Sequence, residues 1–261
     1  MMDLPSPGPT DAFRRRFLSG QPLVGSFIKT PTVHATEILG DLGFDFVVID
    51  EEHAPIDRGQ TELILLAARA ARTAAVVRVP DISRILGALD DGAAGVLVPH
   101  VASAARARAM VDACRYRSGR RGFSNSPRAG RYGGLGMWPH VDQQDAAVTA
   151  IAMIEDPEAL ADIDEILATD GLDGIFIGRG DLAVAMNAAG PDAPPIQAGV
   201  EKICAAARNA GKPVCLMVGN AAEAQRYREL GASAFIVASD QAFMRKAAAE
   251  ALESFASVRS A

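Results

Sequence analysis

The sequence predicts an α/β fold, specifically a (β/α)8 barrel, from one repeated pattern and from the chain length. Four times a glycine ends a helical stretch, and an apolar run begins three or four positions later. A left-handed glycine closes a helix, and a continuous apolar run is typical of a buried parallel strand. Four further apolar runs lie between these, so about eight strand–helix units fit into 261 residues, the usual size of such a barrel.

The predicted strands form two sets of four that alternate along the chain. The even-numbered strands are the runs 46–49, 96–98, 175–177 and 235–237, which follow Gly43, Gly92, Gly171 and Gly231. The odd-numbered strands are Leu23–Ile28, 74–79, Thr149–Ile154 and 213–218. A closed barrel satisfies the right-handed crossovers that parallel strands need. An open doubly wound sheet with one ligand crevice is the alternative.

Helical patterns separate the strands, and several start at a residue that can cap a helix. We expect Thr30 to cap a helix with Pro31 at its first position and its end at residue 42. Asp156 is the expected cap of a helix over 157–169. The other predicted helices span 63–72, 82–91, 104–115, 196–210, 221–230 and 241–255.

No linker divides the chain, so we expect one domain over residues 1–261. Residues 1–20 would form an N-terminal extension with a short helix, and 240–261 a C-terminal helix. The segments 116–145 and 187–195 are rich in glycine or proline and are predicted to be long loops, which are usually functional or mobile.

Composition excludes several classes of function. The net charge is −6, and only 5% of the residues are aromatic, so a nucleic-acid partner is not expected. No apolar segment approaches the length of a membrane span. The chain has an odd number of cysteines, three, without metal-type spacing and shows no secretory signal, which favours a reducing, cytoplasmic location.

Ionisable residues follow the second predicted strand directly, in the order Asp50, Glu51, Glu52 and His53. Ligands bind at the carboxyl ends of strands in α/β folds, although a solvated turn is the alternative interpretation. Charged residues also end strands three, five and six. A barrel would bring all of them to one mouth, which favours it over the open sheet.

Two of these residues form a candidate metal site. Glu155 and Asp181 follow the neighbouring fifth and sixth strands, so their carboxylates can meet at the barrel mouth. Two carboxylates without adjacent His or Cys suit a hard divalent cation such as Mg²⁺ or Mn²⁺, and leave room for water and a chelating 2-oxo acid. The alternatives are a helix cap for Asp181 and an exposed strand end for Glu155.

Two further residue types suggest acid–base and anion chemistry. His53 with Asp50 three positions upstream would form a dyad suited to general-base work near neutral pH, although a lone histidine is more often structural. Arg78 lies in an apolar strand and needs an anionic partner. That partner is either Asp50 or Glu52, or the developing enolate oxygen of a substrate.

The turn around Gly178 and Gly180 precedes a predicted helix start, whose amides could hold a carboxylate. Lys29 ends the first strand and offers a different chemistry, a Schiff base with a carbonyl substrate. The paired carboxylates favour a metal over an imine, because a metal already stabilises an enolate.

Six stretches carry a resemblance to a known family. They are Gly43-Phe-Asp-Phe-Val-Val-Ile-Asp-Glu-Glu-His-Ala-Pro55, Val77-Arg-Val-Pro80, Leu89-Asp-Asp-Gly-Ala-Ala-Gly-Val-Leu-Val-Pro99, Gly119-Arg-Arg-Gly122 with Arg128-Ala-Gly-Arg-Tyr132, Met153-Ile-Glu155, and Phe176-Ile-Gly178 with Asp181-Leu182. With these motifs the chain resembles the HpcH/HpaI aldolase family of metal-dependent 2-oxo acid aldolases, over about residues 25–240.

The resemblance implies roles for the residues at the matching positions. Glu155 and Asp181 would bind the metal, Arg78 the pyruvate oxygens, and the amides around Gly180 the pyruvate carboxylate. His53 with Asp50 would be the acid–base pair. Family members assemble as trimers of dimers, which makes a homo-hexamer, with the C-terminal helix exchanged between partners. Asp90 would help to shape a neighbouring subunit's site.

The chain departs from the family pattern at two positions in the site. Met153 stands where many relatives have a substrate-holding Gln, and its thioether cannot donate a hydrogen bond. Arg179 stands in the Gly-Arg-Gly-Asp-Leu segment where relatives have proline. We expect Arg179 to bring positive charge to the mouth and to affect the choice of carbonyl acceptor.

These observations predict a class II-type aldolase that uses Mg²⁺, Mn²⁺ or Co²⁺. It would cleave 4-hydroxy-2-oxo acids reversibly to pyruvate or hydroxypyruvate and an aldehyde. Three alternatives remain open at this point. They are a carbon–carbon lyase for CoA thioesters, with Arg117, Arg120 and Arg121 contacting the CoA phosphates, a non-catalytic barrel that binds a 2-oxo acid, and a Schiff-base enzyme using Lys29.

Overall fold

The computed structural model of the protein describes residues 9–259. Its eight parallel strands pair in chain order and close into a barrel. The strands are β1 Leu23–Ile28, β2 Phe46–Asp50, β3 Ala74–Arg78, β4 Gly95–Val98, β5 Thr149–Ile154, β6 Gly174–Ile177, β7 Val214–Val218 and β8 Ala232–Ser239. The predicted (β/α)8 barrel is therefore confirmed.

Helices surround the barrel. They are α1 Pro9–Leu18, α2 His34–Asp41, α3 Arg58–Ala70, α4 Ile85–Asp90, α5 Ala104–Cys114, α6 Met137–Ala147, α7 Pro157–Ala161, α8 Ile163–Leu167, α9 Arg179–Ala185, α10 Pro194–Asn209, α11 Ala221–Glu229, α12 Asp240–Ser254 and α13 Ala256–Arg259. Residues 1–8 of the predicted N-terminal extension and the last two residues of the predicted C-terminal segment lie outside the described residues.

The glycines that suggested the fold close helices as expected. Gly43, Gly92, Gly171 and Gly231 have φ angles of 92°, 100°, 80° and 106°, which residues other than glycine rarely adopt. Each glycine ends the helical segment before a strand, so the strands begin at fixed distances after them.

Apolar side chains fill the barrel and close its amino-terminal end. The interior cluster includes Phe27, Met153 and Phe176, and the rings of Phe13 and Phe17 on α1 belong to the same cluster. A Cβ atom at Gly174 would lie 2.7 Å from the Phe17 ring, so the start of β6 requires glycine. A second and larger apolar layer packs between the outer face of the sheet and the helices.

A buried ion network stabilises the amino-terminal end of β5 and β6. Asp173 is 2% exposed, and its carboxylate accepts hydrogen bonds from Arg14, Arg115 and the N–H of Ala150. A buried carboxylate is tolerated where cations and N–H groups satisfy it. The buried polar contacts at this end of the barrel therefore stabilise the fold.

The predicted start of the first loop helix is wrong. Helix α2 begins at His34, not at Pro31, and Thr30 does not cap it. The backbone N–H groups of Lys29 and Thr30 instead donate to the carboxylate of Asp240, at 2.9 and 3.0 Å. This contact with the start of α12 keeps residues 29–32 in a non-helical conformation.

Two other local predictions need correction. The helix predicted over 157–169 is divided into α7 and α8 at Asp162, and the side chain of Asp156 makes no capping hydrogen bond. The break turns α8 so that Ile163 and Ile166 are buried. The segment 116–145 is not a continuous loop, because α6 begins within it at Met137.

None of the helices described between residues 9 and 259 is long and apolar enough to cross a membrane. The three cysteines, Cys114, Cys204 and Cys215, are all buried and have free thiols.

Candidate active site

A cavity of about 690 Å³ opens at the carboxyl ends of the strands. Six of the predicted site residues line it: His53, Arg78, Met153, Gly178, Gly180 and Asp181. The cavity therefore lies at the end of the barrel where active sites of this fold are found.

Strands β2 and β3 place Asp50 directly beside Arg78 in the sheet register. Arg78 donates from Nε and Nη2 to the two carboxylate oxygens of Asp50, at 2.9 and 2.6 Å. Asp50 is fully buried and Arg78 is 5% exposed. This paired geometry fixes the guanidinium plane, so the remaining N–H groups face a defined direction.

The surroundings of Asp50 keep it ionised. Burial alone would raise the pKa of Asp50, but hydrogen bonds and charge from Arg78, with contributions from His53 and Lys29, lower it to about 2. Its Oδ2 atom lies 3.0 Å from the Nζ atom of Lys29. Asp50 is therefore a permanent anion that holds two cations in place.

His53 reaches the cavity but does not contact Asp50 through its imidazole. The backbone N–H of His53 donates to Asp50 Oδ1 at 3.1 Å, and the ring Nε2 lies 3.8 Å from Glu52 Oε2. The expected orientation of the ring by Asp50 is not present. The Arg78 and Lys29 side chains already contact the Asp50 oxygens, so Glu52 is the carboxylate nearest the ring.

Glu155 is a buried carboxylate, 2% exposed, at the end of β5. Its Oε1 atom accepts a hydrogen bond from the backbone N–H of His100 at 2.9 Å and lies 3.5 Å from the His100 ring. Burial is the main cause that raises the pKa of Glu155 to about 7, and the charges of Asp181 and Glu52 add to it. The site thus concentrates negative charge around Glu155.

Asp181 is exposed to the cavity in the first turn of α9. Its carboxylate forms no hydrogen bond or ion pair with any residue in the described part of the chain. The first helical hydrogen bond of α9 starts at the N–H of Leu182, so the amides of Gly180 and Asp181 have no helical acceptor. The predicted capping alternative for Asp181 therefore finds no support.

The donor set fits a hard divalent cation. Glu155 and Asp181 interact electrostatically, and no Lys or Arg side chain in residues 9–259 lies within ion-pair distance of either carboxylate. No group of three or more His, Cys, Asp or Glu residues between 9 and 259 forms a complete metal cage. Two carboxylates with open positions are typical of an ion that also binds water and substrate oxygens.

Glycine at position 178 is required by the shape of this site. A Cβ atom there would lie 2.7 Å from Glu155 Cβ and 2.9 Å from Met153 Cε. Met153 is 3% exposed and lies in the cavity wall, where it supplies an apolar surface.

Arg179 lies in the cavity wall, but its charge is not free. It contacts Asp192 at 2.9 Å and Glu223 at 2.6 Å, and it donates to the Tyr227 hydroxyl and the Met217 carbonyl. Arg179 therefore lies at the mouth as expected, with its charge paired to two carboxylates; its effect on the choice of carbonyl acceptor stays a prediction.

Asp90 does not line the cavity of its own chain. It lies at the end of α4, where Arg121 Nη2 donates to it at 3.0 Å. The Arg121 side chain is fully buried.

His100 is the site residue that the sequence analysis missed. His100 follows Pro99 after β4, and its φ of 54° is unusual for a residue other than glycine. Its ring lies 3.2 Å from the Asp156 carboxylate. The left-handed backbone turns its N–H toward Glu155. The rule that charged residues end strands would have found His100 had it been applied to the fourth strand.

The chain matches known proteins over nearly its whole length. A family model described as HpcH/HpaI aldolase/citrate lyase matches residues 24–247. The chain is 36% identical over 244 residues to 4-hydroxy-2-oxo-heptane-1,7-dioate aldolase of Salmonella dublin, a match that covers 91% of this chain and 92% of the relative. It is 35% identical over 236 residues to 5-keto-4-deoxy-D-glucarate aldolase of Enterobacter sp. (strain 638), covering 89% and 91% of the two chains.

A solved structure extends this likeness to three dimensions. The crystal structure of an HpcH/HpaI aldolase/citrate lyase family protein from Burkholderia cenocepacia J2315 superimposes with a TM-score of 0.88 at 28% identity. The superposition covers 94% of this chain and 98% of the other.

The Glu155→Gln variant should be more stable than the parent protein at high pH when metal is absent. Folding raises the pKa of Glu155 to about 7, so the folded state binds more protons than the unfolded state below that pH. The free energy of unfolding therefore falls as the pH rises from about 4.5 to about 7. Neutral Gln lacks this loss, and its advantage should approach about 3 kcal/mol above pH 8.

Urea unfolding in EDTA at about pH 5 and pH 8 measures this difference. Gln at the exposed Glu165 is the control and should change stability little at either pH. An equal effect of Glu155→Gln at both pH values would contradict the raised pKa of Glu155.

Proposed function

Since this chain belongs to the HpcH/HpaI aldolase/citrate lyase family, we propose that the barrel mouth is its active site and cleaves 4-hydroxy-2-oxo acids reversibly. The chain is a carbon–carbon lyase of the aldolase type. The products would be pyruvate, or hydroxypyruvate, and an aldehyde. The observation that carries the proposal is the meeting of His53, Arg78 and Asp181 in one cavity, with the Glu155 carboxylate behind it.

Arg78 would stabilise the enolate of the 2-oxo acid. Asp50 occupies Nε and Nη2 of the guanidinium, while Nη1 lies 3.4 Å from Glu52 and retains a donor for a ligand. A preorganised cation that faces developing negative charge lowers the barrier without reorganisation. The ring of Phe27, 4.9 Å from the guanidinium carbon, supports it from one side.

His53 would be the general base in the cleavage direction. Its imidazole is about half exposed and lines the cavity, so it can accept the proton of the 4-hydroxyl group. The bond between C3 and C4 then breaks, the aldehyde leaves, and the enolate takes up a proton. The amides of Gly180 and Asp181 would bind the carboxylate of the 2-oxo acid.

Glu155 and Asp181 would hold a divalent cation, Mg²⁺, Mn²⁺ or Co²⁺. When bound, the cation would act as a Lewis acid that stabilises negative charge on the 2-oxo acid. The raised pKa of Glu155 supports this assignment, because a buried carboxylate near two other carboxylates needs positive charge.

The alternative chemistries find less support. For a CoA thioester lyase, Arg121 is fully buried against Asp90 and Arg117 pairs with Asp142. Of the three arginines named for the CoA phosphates, Arg120 alone is exposed without an ion pair in the described chain, which is a small basic surface for that ligand. For a Schiff-base enzyme, the Nζ atom of Lys29 lies 3.0 Å from Asp50 Oδ2, so it is held against a buried carboxylate that also binds Arg78.

The enzyme would assemble as a trimer of dimers with α12 exchanged between partners. Helix α12 has no buried residue, and its Met244 and Leu252 are 62% and 55% exposed. Phe255 and Val258 after it are 60% and 70% exposed. Apolar surface of this extent is typical of an interface, and in such an assembly Asp90 would lie near a neighbouring site. Sedimentation of the full chain as a monomer at micromolar concentration would contradict the assembly.

Removing divalent metal should abolish aldol cleavage. Exhaustive treatment with EDTA should eliminate activity, and Mg²⁺, Mn²⁺ or Co²⁺ should restore it, because the enolate loses its counter-charge. Calorimetry should show that Glu155→Ala no longer binds the metal although its circular dichroism is that of a folded protein. Glu165→Ala is the matched control. Undiminished cleavage after chelation would refute the metal role.

His53→Ala should slow cleavage far more than it weakens pyruvate binding. Loss of a general base typically costs about 10²–10⁴-fold in rate, whereas Arg78 and the amides of α9 would still bind pyruvate. Turnover of a 4-hydroxy-2-oxo acid and a pyruvate titration measure the two effects. His34→Ala, at an exposed histidine on α2, serves as the control. A normal cleavage rate would exclude His53 from the mechanism.

A further inference from the structure

We propose that a cavity at the amino-terminal end of the barrel binds a phosphate group, either free phosphate or the phosphate of a small phosphorylated molecule. This amino-terminal cavity measures about 430 Å³, a usual size for a small-molecule site. Three cationic side chains line it, Arg208, Lys212 and Arg228, and no acidic residue of the described chain does. The cavity is separate from the barrel mouth, so it would bind its anion whatever reaction the mouth catalyses.

Three neighbouring strands bring these cations together. Strand β8 pairs with β7 on one side and with β1 on the other. Residues that line the amino-terminal cavity come from the segments entering these strands, which are 18–22 before β1, 207–213 before β7 and 228–233 before β8. Parallel strands of a barrel all begin at the end opposite the mouth. No residue of α12, the helix proposed to be exchanged between subunits, lines the cavity.

The three cations have no carboxylate partner between residues 9 and 259. Arg208 Nη2 donates to the Leu230 carbonyl, and Lys212 Nζ donates to the Leu172 carbonyl at 2.6 Å. A guanidinium carries five N–H donors and an ammonium three, so both side chains keep donors for a ligand. Arg228 is exposed and its side chain has no hydrogen-bond partner in the described part of the chain.

Acidic residues on the surrounding elements do not cancel this charge. Asp45 pairs with Arg16 of α1, and Asp173 pairs with two other arginines. Glu229 follows Arg228 directly, but it accepts a hydrogen bond from a glutamine side chain and does not line the cavity. The amino-terminal cavity is therefore a positive surface on a chain whose net charge is −6.

The cavity wall also contains a buried polar group that lacks a partner. Ser233 is 8% exposed and lines the cavity, and its Oγ atom has no hydrogen-bond partner in residues 9–259. Buried hydroxyl groups are nearly always hydrogen-bonded, because an unsatisfied one is costly. An oxygen atom of a bound anion would accept the missing hydrogen bond.

Phosphate matches this set of groups better than a carboxylate does. A phosphate monoester carries about 1.5 to 2 negative charges at pH 7 and three strong acceptor oxygens. Arginine and lysine are the side chains that bind phosphate in proteins. Donors from three separate segments can each contact a different oxygen of one tetrahedral group, whereas a planar carboxylate offers only two oxygens.

A structural role for the arginines is the alternative that an experiment must separate. Arg208 and Arg228 lie in the last turns of α10 and α11, where a cation interacts favourably with the helix dipole. That role explains their places on the helices, but it requires neither a shared cavity nor the unpartnered Ser233. It predicts that neutral variants lose stability without losing a ligand.

Calorimetric titration of the full chain with inorganic phosphate and with ribose 5-phosphate, in EDTA, tests the proposal. We expect the parent protein to bind, and Arg208→Gln and Arg228→Gln each to bind about tenfold more weakly, because each loses a charged hydrogen-bond donor. Tighter binding of ribose 5-phosphate would identify a phosphorylated molecule as the ligand. Equal or tighter binding of inorganic phosphate would identify free phosphate.

Arg69→Gln is the matched control. Arg69 is exposed, lies in the last turn of α3 and does not line the cavity, so its loss removes the same charge from an equivalent helix position. This variant should bind phosphate as the parent does. Ser233→Ala should weaken binding without lowering the melting temperature, because it removes a buried hydroxyl group that has no partner.

Four results would overturn the proposal. One is a parent protein that binds neither probe at millimolar concentration. A second is binding that Arg208→Gln, Arg228→Gln and Ser233→Ala all leave unchanged, as phosphate held at the barrel mouth would give. A third is an equal loss in Arg69→Gln, which would report net charge alone. The fourth is binding of succinate, a dianion with two carboxylates, as tightly as phosphate and with the same dependence on Arg208.

Discussion

The burial of the Glu155 carboxylate is the constraint on which the rest of the site depends. A carboxylate that is 2% exposed, with its pKa raised to about 7, is unstable as an anion unless positive charge reaches it. Asp181 adds negative charge from α9, and the glycine at position 178 leaves room for the Glu155 side chain, since a Cβ atom there would lie 2.7 Å from Glu155 Cβ. The arrangement costs stability in the metal-free protein, and a divalent cation would compensate for it.

The amino-terminal end of the barrel carries contacts that stabilise the fold, whereas the carboxyl end carries the cavity. At the amino-terminal end, Asp173 is satisfied by arginines and a backbone N–H, and aromatic rings close the interior. At the carboxyl end, the pair Asp50–Arg78 is equally buried, but it leaves donors of Arg78 facing a cavity. The same kind of interaction thus stabilises one end of the fold and, in our proposal, orients Arg78 toward an anionic ligand at the other.

Local sequence patterns were sufficient for the barrel and for most of the site. Apolar runs define strands by burial on both faces, and Gly43 and its equivalents end helices by backbone conformation, so neither depends on distant residues. Strand-end positions then brought Arg78 and Asp181 to one mouth. The roles of these residues in binding and catalysis remain predictions.

The failures share one cause, which is contact between residues far apart in sequence. Asp240 binds the amides after β1 and displaces the start of α2. Asp192 and Glu223 pair with Arg179, and the local sequence around Arg179 did not indicate these partners. The N–H of His100 meets Glu155 only because the chain turns into a left-handed conformation after β4.

A crystal grown with Mn²⁺ and pyruvate tests the central claim most directly, through the anomalous signal of the metal. Our account expects one anomalous peak within bonding distance of the carboxylates of Glu155 and Asp181, with pyruvate bound beside it. A map with no peak between these two carboxylates, in a crystal that contains bound pyruvate, would contradict the account.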